Sequence, residues 1–314
     1  MTDRPTHAVT IALCEPLPPD VAVGSNVRTR VAVSCAAGCD LADVALTVTA
    51  PDGTTAYALG PREGAAHITD IIVTAPAAVG EHRLHVATPA HRVGDIVHTD
   101  ATLNVAITTR PHHTSLAVWE VPDVAVAGEA FAIKAGVKCA DGCALHGHHI
   151  DVVAADGTAL TSAQAGNTPW SGTAALYWTE LAVPAPPDTG MLTLSARVDA
   201  QADTEASALA HDGASSSFTV AVVNPPEHTL TVTVTAKESA TPVTHADIRL
   251  GPYRATTGPS GEAALRVAGG TYELHVWKAG YEMPTQGLDI RADTSVEIKA
   301  VTVPEEDPDA RWKT

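Results

Sequence analysis

A duplicated stretch constrains the fold of this 314-residue chain more than any other feature of its sequence. Residues 21–54 read VAVGSNVRTRVAVSCAAGCDLADVALTVTAPDGT, and residues 125–158 read AVAGEAFAIKAGVKCADGCALHGHHIDVVAADGT. At a constant shift of 104 positions, 12 of the 34 pairs are identical, including both cysteines of CAAGC and CADGC and an Asp-Gly-Thr turn. Because self-similarity at a fixed period indicates a repeated structural unit, the chain contains two copies of one domain.

Each copy has the side-chain alternation of β-strands. In NVRTRVAVSC, the residues Val27, Val31, Val33 and Cys35 share one parity and basic residues take the other, as expected for a half-buried strand. The Asp-Gly turn that follows predicts a hairpin. Each copy has roughly seven short strands and no helical stripe of useful length, a pattern that resembles the immunoglobulin-like β-sandwich.

We therefore predict an all-β chain with two immunoglobulin-like sandwiches, at residues 6–109 and 114–224. The linkers between domains, TTRPHH and VNPPEH, are short and contain proline. Such linkers indicate a semi-rigid row of domains.

The third unit differs in sequence and reads TLTVTVTAKESATPVTHADIRLGPYRATTGPSGEAALRVAGGTYELHVWKAGYE. It resembles the carboxypeptidase regulatory-like, or transthyretin-like, domain over residues 228–303. The matching residues are Pro242, Val243, Ala246, Ile248, Leu250, Thr257, Ser260, Gly261, Gly269, Gly270, Tyr272, Leu274, Val276, Lys278, Ala279, Gly280 and Tyr281. The resemblance implies a third β-sandwich, a non-catalytic module beside an enzyme or on a surface protein. The acidic tail, 304–314, is expected to be a disordered end, with docking of Trp312 onto a partner as the alternative.

The charge balance excludes two classes of partner. The formal net charge is -17, whereas nucleic acids and anionic membranes require clustered Lys and Arg. No apolar run approaches the roughly 18 residues that a membrane-spanning helix needs, so membrane insertion is not expected. No secretory leader is visible at the start. This favours a cytoplasmic location, or an extracytoplasmic one if a leader was removed.

The sequence has no motif that carries catalysis. A phosphate-binding Gly-rich loop, a nucleophile elbow, a His-Glu-x-x-His helix and an EF-hand loop are all missing. We therefore expect a protein that is not an enzyme and needs no cofactor, with zinc at the second repeat as the possible exception.

The zinc hypothesis concerns CADGCALHGHH in the second copy. Two thiolates and two imidazoles can form a tetrahedral Zn²⁺ site, and the candidate ligands are Cys139, Cys143, His146 and His148. The first copy has Ala42 and Val44 at the positions of the two histidines. The sequence thus predicts a metal site in the second copy alone.

A local disulfide is the competing interpretation of the same cysteines. An immunoglobulin bridge joins strands B and F, but neither strand-F candidate, GEHRLHVAT or GMLTLSARV, contains cysteine. Any bridges would be Cys35–Cys39 and Cys139–Cys143, within reach across a tight turn. They are expected in an oxidising compartment, whereas reduced thiols are expected in the cytoplasm. Cys14 is expected to be a buried free thiol.

These observations favour a non-catalytic scaffold or binding subunit that mediates protein–protein contacts in a larger assembly or self-assembles. One alternative is an exported surface protein with an adhesive or carbohydrate-binding role. The other is a metal-binding module acting through the second repeat.

Overall fold

The computed structural model describes residues 5–200 and 209–303, and these residues form 28 β-strands and no helix. None of the described residues belongs to a helix long and apolar enough to cross a membrane. The all-β class predicted from the sequence is confirmed. The acidic tail and its Trp312 lie outside the described residues.

The first sandwich contains twelve strands in two main sheets and one small sheet. They are β1 (Thr6–His7), β2 (Val9–Leu13), β3 (Val21–Ala22), β4 (Asn26–Cys35), β5 (Ala45–Ala50), β6 (Gly53–Ala58), β7 (Arg62–Glu63), β8 (Ala66–Thr74), β9 (Gly80–Thr88), β10 (His91–Val93), β11 (Ile96–His98) and β12 (Ala101–Arg110). The sheet orders are β3-β12-β9-β5-β6, β2-β4-β8-β7 and β1-β11-β10.

The core of this sandwich contains the residues that the sequence alternation predicted to be buried. Val27, Val31, Val33 and Cys35 of β4 are buried, which confirms the predicted inward parity. They pack with residues of the opposite sheet such as Leu46. Valine, leucine and isoleucine fill this core because the chain has few aromatic residues, 4% in all.

The second sandwich has eight strands within the described residues. They are β13 (Thr114–Trp119), β14 (Val124–Val126), β15 (Ala130–Cys139), β16 (His149–Ala154), β17 (Ala159–Gln164), β18 (Tyr177–Pro184), β19 (Gly190–Val198) and β20 (Ala214–Val223). Their sheet orders are β14-β20-β19-β16-β17 and β13-β15-β18. These orders repeat β3-β12-β9-β5-β6 and β2-β4-β8 of the first sandwich strand for strand, so the duplication seen in the sequence is a duplication of topology. Both sandwiches are immunoglobulin-like.

The third sandwich has two four-stranded sheets, with the orders β24-β21-β28-β26 and β23-β22-β25-β27. Its strands are β21 (His228–Ala236), β22 (Asp247–Leu250), β23 (Tyr253–Thr256), β24 (Glu262–Val267), β25 (Gly270–Trp277), β26 (Tyr281–Glu282), β27 (Gln286–Ile290) and β28 (Thr294–Thr302). A separate apolar core, with Leu230, Ile248 and Leu274 fully or nearly fully buried, joins the two sheets.

Packing groups the chain into two compact units. The first comprises Met1–Ser115, Lys138–Ala144 and Asp199–Ala214, and the second comprises Leu116–Val137, Leu145–Val198 and Ser215–Thr314. Both Cys-x₃-Cys loops belong to the first unit. The predicted boundaries of three domains stay a prediction.

Candidate metal centres

Two groups of cysteine and histidine side chains converge in the first unit. We name them the first cluster (His7, Cys35, Cys39 and His98) and the second cluster (His112, Cys139, Cys143 and His211). Within each group, one ligand atom from every residue lies within 4.8 Å of the others. Each cluster therefore presents two sulfur and two nitrogen donors to a single point.

The two thiols of each cluster are positioned by the same loop. Cys35 ends β4 and Cys139 ends β15, and the next residues form a tight turn. The N–H of Gly38 donates to the Cys35 carbonyl at 2.9 Å, and that of Gly142 donates to the Cys139 carbonyl at 3.2 Å. Both glycines have φ values in the left-handed region, 72° and 78°, where side chains are disfavoured. The repeated Cys-x₂-Gly-Cys spacing thus turns both sulfur atoms toward one side.

The two histidines of each cluster face each other across a parallel strand pair. His7 of β1 is in register with His98 of β11, and His112 forms a parallel bridge with His211. The ring centroids are 5.7 Å apart at 79° in the first cluster and 5.3 Å apart at 72° in the second. The same parallel backbone pairing therefore places the two imidazoles side by side in both repeats.

A shared backbone hydrogen bond holds the histidine strand against the cysteine loop. The N–H of Ala36 donates to the Ala8 carbonyl at 3.1 Å, and the N–H of Ala140 donates to the His113 carbonyl at 2.9 Å. In each repeat the donor directly follows the first cysteine and the acceptor directly follows the first histidine. The two clusters are therefore equivalent sites built twice.

The donor-atom distances suit a tetrahedral metal ion. His7 Nδ1 lies 3.1 Å from Cys39 Sγ, and His112 Nδ1 lies 3.1 Å from Cys143 Sγ and 3.5 Å from Cys139 Sγ. Zinc bonds of about 2.3 Å to sulfur and about 2.0 Å to nitrogen imply a separation of roughly 3.5 Å in a tetrahedron. These three nitrogen–sulfur distances therefore differ from the tetrahedral value by only a few tenths of an ångström.

Burial distinguishes His98 from a surface histidine. Its side chain is fully inaccessible, and neither ring nitrogen has a hydrogen-bond partner among the described residues. Burial lowers the pKa of this imidazole, with further contributions from His91 and His7. Since unpartnered buried polar atoms are costly, a metal ion at this point would explain why histidine occupies the position.

The thiols of the first cluster differ in acidity. Burial raises the pKa of the Cys35 thiol, but hydrogen bonds from the backbone N–H of Cys39 and of two other loop residues outweigh burial, so the net pKa is lowered. Burial and the hydrogen bond with Cys35 raise the pKa of the Cys39 thiol. The loop therefore favours a thiolate at Cys35, the form that binds metals.

The second cluster shows the same influence on its outer thiol. Burial, followed by the hydrogen bond with Cys139, raises the pKa of Cys143 to about 11. A thiol of such weak acidity is neutral at ordinary pH, and a bound cation would favour its deprotonation because a metal ligand must be a thiolate.

The structure places the two histidines predicted as ligands away from the thiols. Cys139 and Cys143 belong to the second cluster, but His146 and His148 do not. Leu145 is buried and Gly147 turns the chain with φ 78° just before β16, so His146 is left exposed, where its ring lies 6.0 Å from Tyr177.

A second finding is that the first copy brings together a matching set of four donors, which the comparison of aligned residues did not predict. The residues aligned with His146 and His148 are indeed apolar in the first copy, but the ligands come from other strands, so both copies possess the four donors. A signal was present in the sequence. His7 and His112 both precede the first long strand of a repeat, and His98 and His211 both precede the last. Extending the comparison of the copies to their flanks would have found these pairs.

The predicted disulfides are not formed in this structure, where Cys35, Cys39, Cys139 and Cys143 are free thiols. Each thiol pair faces two imidazoles. A local bridge in an oxidising compartment stays a prediction, because the same sulfur atoms can be oxidised or can bind metal. Cys14, expected to be buried, is exposed.

Comparisons with known proteins identify no family for this chain. No protein-family model and no curated protein matches this chain. Among solved structures, it is similar to a D1–D4 ectodomain fragment of ICAM-5, with 12% identity over 93% of this chain and 75% of that one and a TM-score of 0.32.

Two further solved structures have comparable similarity. Red sea bream transglutaminase has 18% identity over 68% of this chain and 31% of that one, with a TM-score of 0.31. The Yersinia pseudotuberculosis adhesin InvE has 16% identity over 69% and 58%, with a TM-score of 0.26.

Proposed function

We propose that the chain is a non-catalytic binding and scaffold protein in which each immunoglobulin-like sandwich holds one structural Zn²⁺. The observation that carries this proposal is the repetition of a Cys₂His₂ cluster on equivalent strands and loops of the two copies. A chance group of polar side chains has no reason to recur with the same two rings in register. The second repeat is therefore one of two metal-binding modules.

The donor set favours zinc among common metals. Two thiolates and two imidazoles in a tetrahedral arrangement form the usual S₂N₂ environment of structural zinc, whereas magnesium and calcium prefer oxygen. Four protein ligands also complete the coordination sphere, and catalytic zinc normally retains an open position for water. A structural role is accordingly favoured over hydrolysis.

The first cluster indicates what its zinc would stabilise. It gathers the edge strand β1, the loop after β4 and the end of β11, which are separated by as many as 91 positions. Strand β1 is only two residues long. Because such a short strand has little stability of its own, a metal bond through His7 would hold it in place.

Zinc stoichiometry tests the proposal directly. The full chain, reduced and freed of metal with a chelator, should bind two Zn²⁺ in native mass spectrometry and in a titration. Cys35→Ser/Cys39→Ser and Cys139→Ser/Cys143→Ser should each retain one. His146→Ala/His148→Ala is the matched control and should retain two. A wild-type chain that binds no zinc, or cysteine variants with undiminished zinc, would contradict the proposal.

The scaffold role rests on the surfaces of the sandwiches. Strand β6 lies at the edge of a five-stranded sheet, and five of its six residues are exposed. An edge strand can accept a strand from another chain. The third sandwich, by its resemblance to the carboxypeptidase regulatory-like domain, would add a second non-catalytic module. Native purification after cross-linking should recover a protein partner or a self-assembled form, and recovery only as a monomer at cellular concentration would oppose this role.

A further inference from the structure

We propose that the metal in the second cluster clamps the start of the second repeat onto the first sandwich. This inference rests on the proposed zinc binding and names its structural consequence. His112, one of the ligands, uses both ring nitrogens. Its Nδ1 faces the cysteine sulfurs, and its Nε2 lies 2.7 Å from the carbonyl oxygen of Val23.

The hydrogen bond to Val23 fixes which nitrogen can bind metal. A carbonyl only accepts, so Nε2 carries the proton and Nδ1 of the neutral ring has a free lone pair directed at the sulfurs. Such outer contacts orient metal-bound histidines and strengthen the site. Val23 is fully buried in the first sandwich, and its own N–H donates to the Arg110 carbonyl at 3.0 Å. The ring of His112 therefore connects the second cluster to the backbone of the first sandwich.

The other imidazole has a matching arrangement. His211 Nδ1 lies 3.0 Å from the Leu209 carbonyl oxygen, so this nitrogen donates and the lone pair of the neutral ring is on Nε2. Residues 210–212 pair with His112 through two backbone hydrogen bonds. The N–H of His112 donates to the Ala210 carbonyl at 2.9 Å, and the N–H of Asp212 donates to the His112 carbonyl at 3.0 Å. Both histidine ligands thus belong to one hydrogen-bonded strand pair.

Leu209 carries the contact further into the first sandwich. A Cβ built on Gly24 would lie 2.6 Å from Leu209 Cδ2, so the leucine packs directly on the glycine. The N–H of Gly24 donates to the Ala75 carbonyl at 3.0 Å. Leu209 and His112 therefore rest on consecutive residues, Gly24 and Val23, and a metal that holds the two histidines together would hold this contact together as well.

The first cluster lacks this connection. Its four ligands, His7, Cys35, Cys39 and His98, all belong to strands or loops of the first sandwich. A metal in the first cluster would therefore stabilise one sandwich internally. A metal in the second cluster would couple the start of the second repeat to the first sandwich. Coupling is reciprocal, so a change at Gly24 must alter zinc affinity at the second cluster and leave the first cluster unaffected.

The repeat supplies a matched pair of variants. Gly24 and Gly128 are equivalent positions, 104 apart, with similar φ values of 68° and 77°. Only Gly24 has Leu209 against it, and a Cβ at Gly128 meets nothing within 4 Å. Gly24→Ala and Gly128→Ala therefore impose the same backbone cost and differ in the contact to Leu209.

The experiment measures zinc affinity in a chain that keeps only the second cluster, Cys35→Ser/Cys39→Ser. We expect Gly24→Ala to weaken zinc binding about tenfold, the scale of a lost outer contact, and Gly128→Ala to leave it unchanged. Adding Leu209→Ala to Gly24→Ala should recover part of the affinity. To exclude simple misfolding, Gly24→Ala is also made in Cys139→Ser/Cys143→Ser, where zinc at the first cluster should bind normally.

Hydrogen exchange gives a second measurement on the same chain. Zinc should slow exchange at the amides of Val23, His112 and Asp212 when the second cluster is intact, and not in Cys139→Ser/Cys143→Ser. No zinc binding by Cys35→Ser/Cys39→Ser would refute the proposed function at this site. Normal zinc binding, with equal affinities for Gly24→Ala and Gly128→Ala and unchanged exchange at Val23, would refute the clamp alone.

Discussion

His98→Leu should stabilise the metal-free protein and destabilise the zinc-bound one. In the metal-free chain, the two nitrogens of His98 are buried and have no partner among the described residues. Leucine is close to histidine in size and removes both polar atoms. An unsatisfied buried group costs about 1–3 kcal/mol, so relief of the two should raise the free energy of unfolding by about 2 kcal/mol.

Bound zinc should reverse the order of stability of the wild-type chain and His98→Leu. At a free zinc concentration one hundred times the dissociation constant, a bound metal stabilises the native state by about 2.7 kcal/mol. His98→Leu removes one of four donors at the first cluster and loses most of this stabilisation. With saturating zinc the wild-type chain should therefore be the more stable of the two, by about 1 kcal/mol or less after the leucine gain is subtracted.

Urea unfolding followed by circular dichroism, once with a chelator and once with zinc, measures both differences. His85→Leu, at an exposed position whose Nδ1 lies 3.0 Å from the Asn104 side chain, is the control and should shift neither curve by more than about 0.5 kcal/mol. If His98→Leu were less stable than wild type in the chelator, the reasoning from the unpartnered nitrogens would be refuted.

Three further predictions concern the scaffold. Thr257→Val should lower the free energy of unfolding by about 2 kcal/mol, because the buried hydroxyl accepts from one backbone N–H at 2.8 Å and donates to one carbonyl at 2.7 Å. Thermal unfolding measures this loss, with the exposed Thr256→Val as control. Equal losses in the two variants would contradict the role given to the Thr257 hydroxyl. Gly60→Ala should lower the free energy of unfolding by about 3 kcal/mol, since its Cβ would lie 1.9 Å from a backbone oxygen. Gly287→Ala is the control, because a Cβ there meets nothing within 4 Å. Similar urea midpoints for the two variants would count against this steric reasoning. Burial raises the pKa of Tyr272 to about 12, so its contribution to stability is full below about pH 10 and is lost as pH rises toward 12. Ultraviolet titration should show one tyrosine that ionises near pH 12 in the wild-type chain and is missing from that upper transition in Tyr272→Phe.

Much of the fold follows from local patterns. The parity of β4 predicted its buried face because successive side chains of a strand point to opposite sides. The internal repeat predicted two equal topologies, and the two sets of sheet orders match. These features depend on neighbours a few residues apart, or on comparing one segment with its copy.

The candidate site was only half predictable. The paired cysteines are close in sequence and their spacing suits a metal, so CAAGC and CADGC were visible at once. The histidine ligands were not, because His7 and His98 are 91 positions apart and only the parallel pairing of β1 with β11 brings them opposite each other. Proximity in sequence instead favoured His146 and His148, which the turn at Gly147 separates from the thiols.

An all-β chain, a duplicated sandwich and two cysteine loops could be predicted from the amino-acid order alone, because alternation, repetition and turn chemistry are local properties of the chain. The histidines that complete the two clusters, and the contact of His112 with the Val23 carbonyl, become visible only in the folded chain. Strand pairing between distant segments has no local signature, and a metal site depends on the positions of four atoms in space.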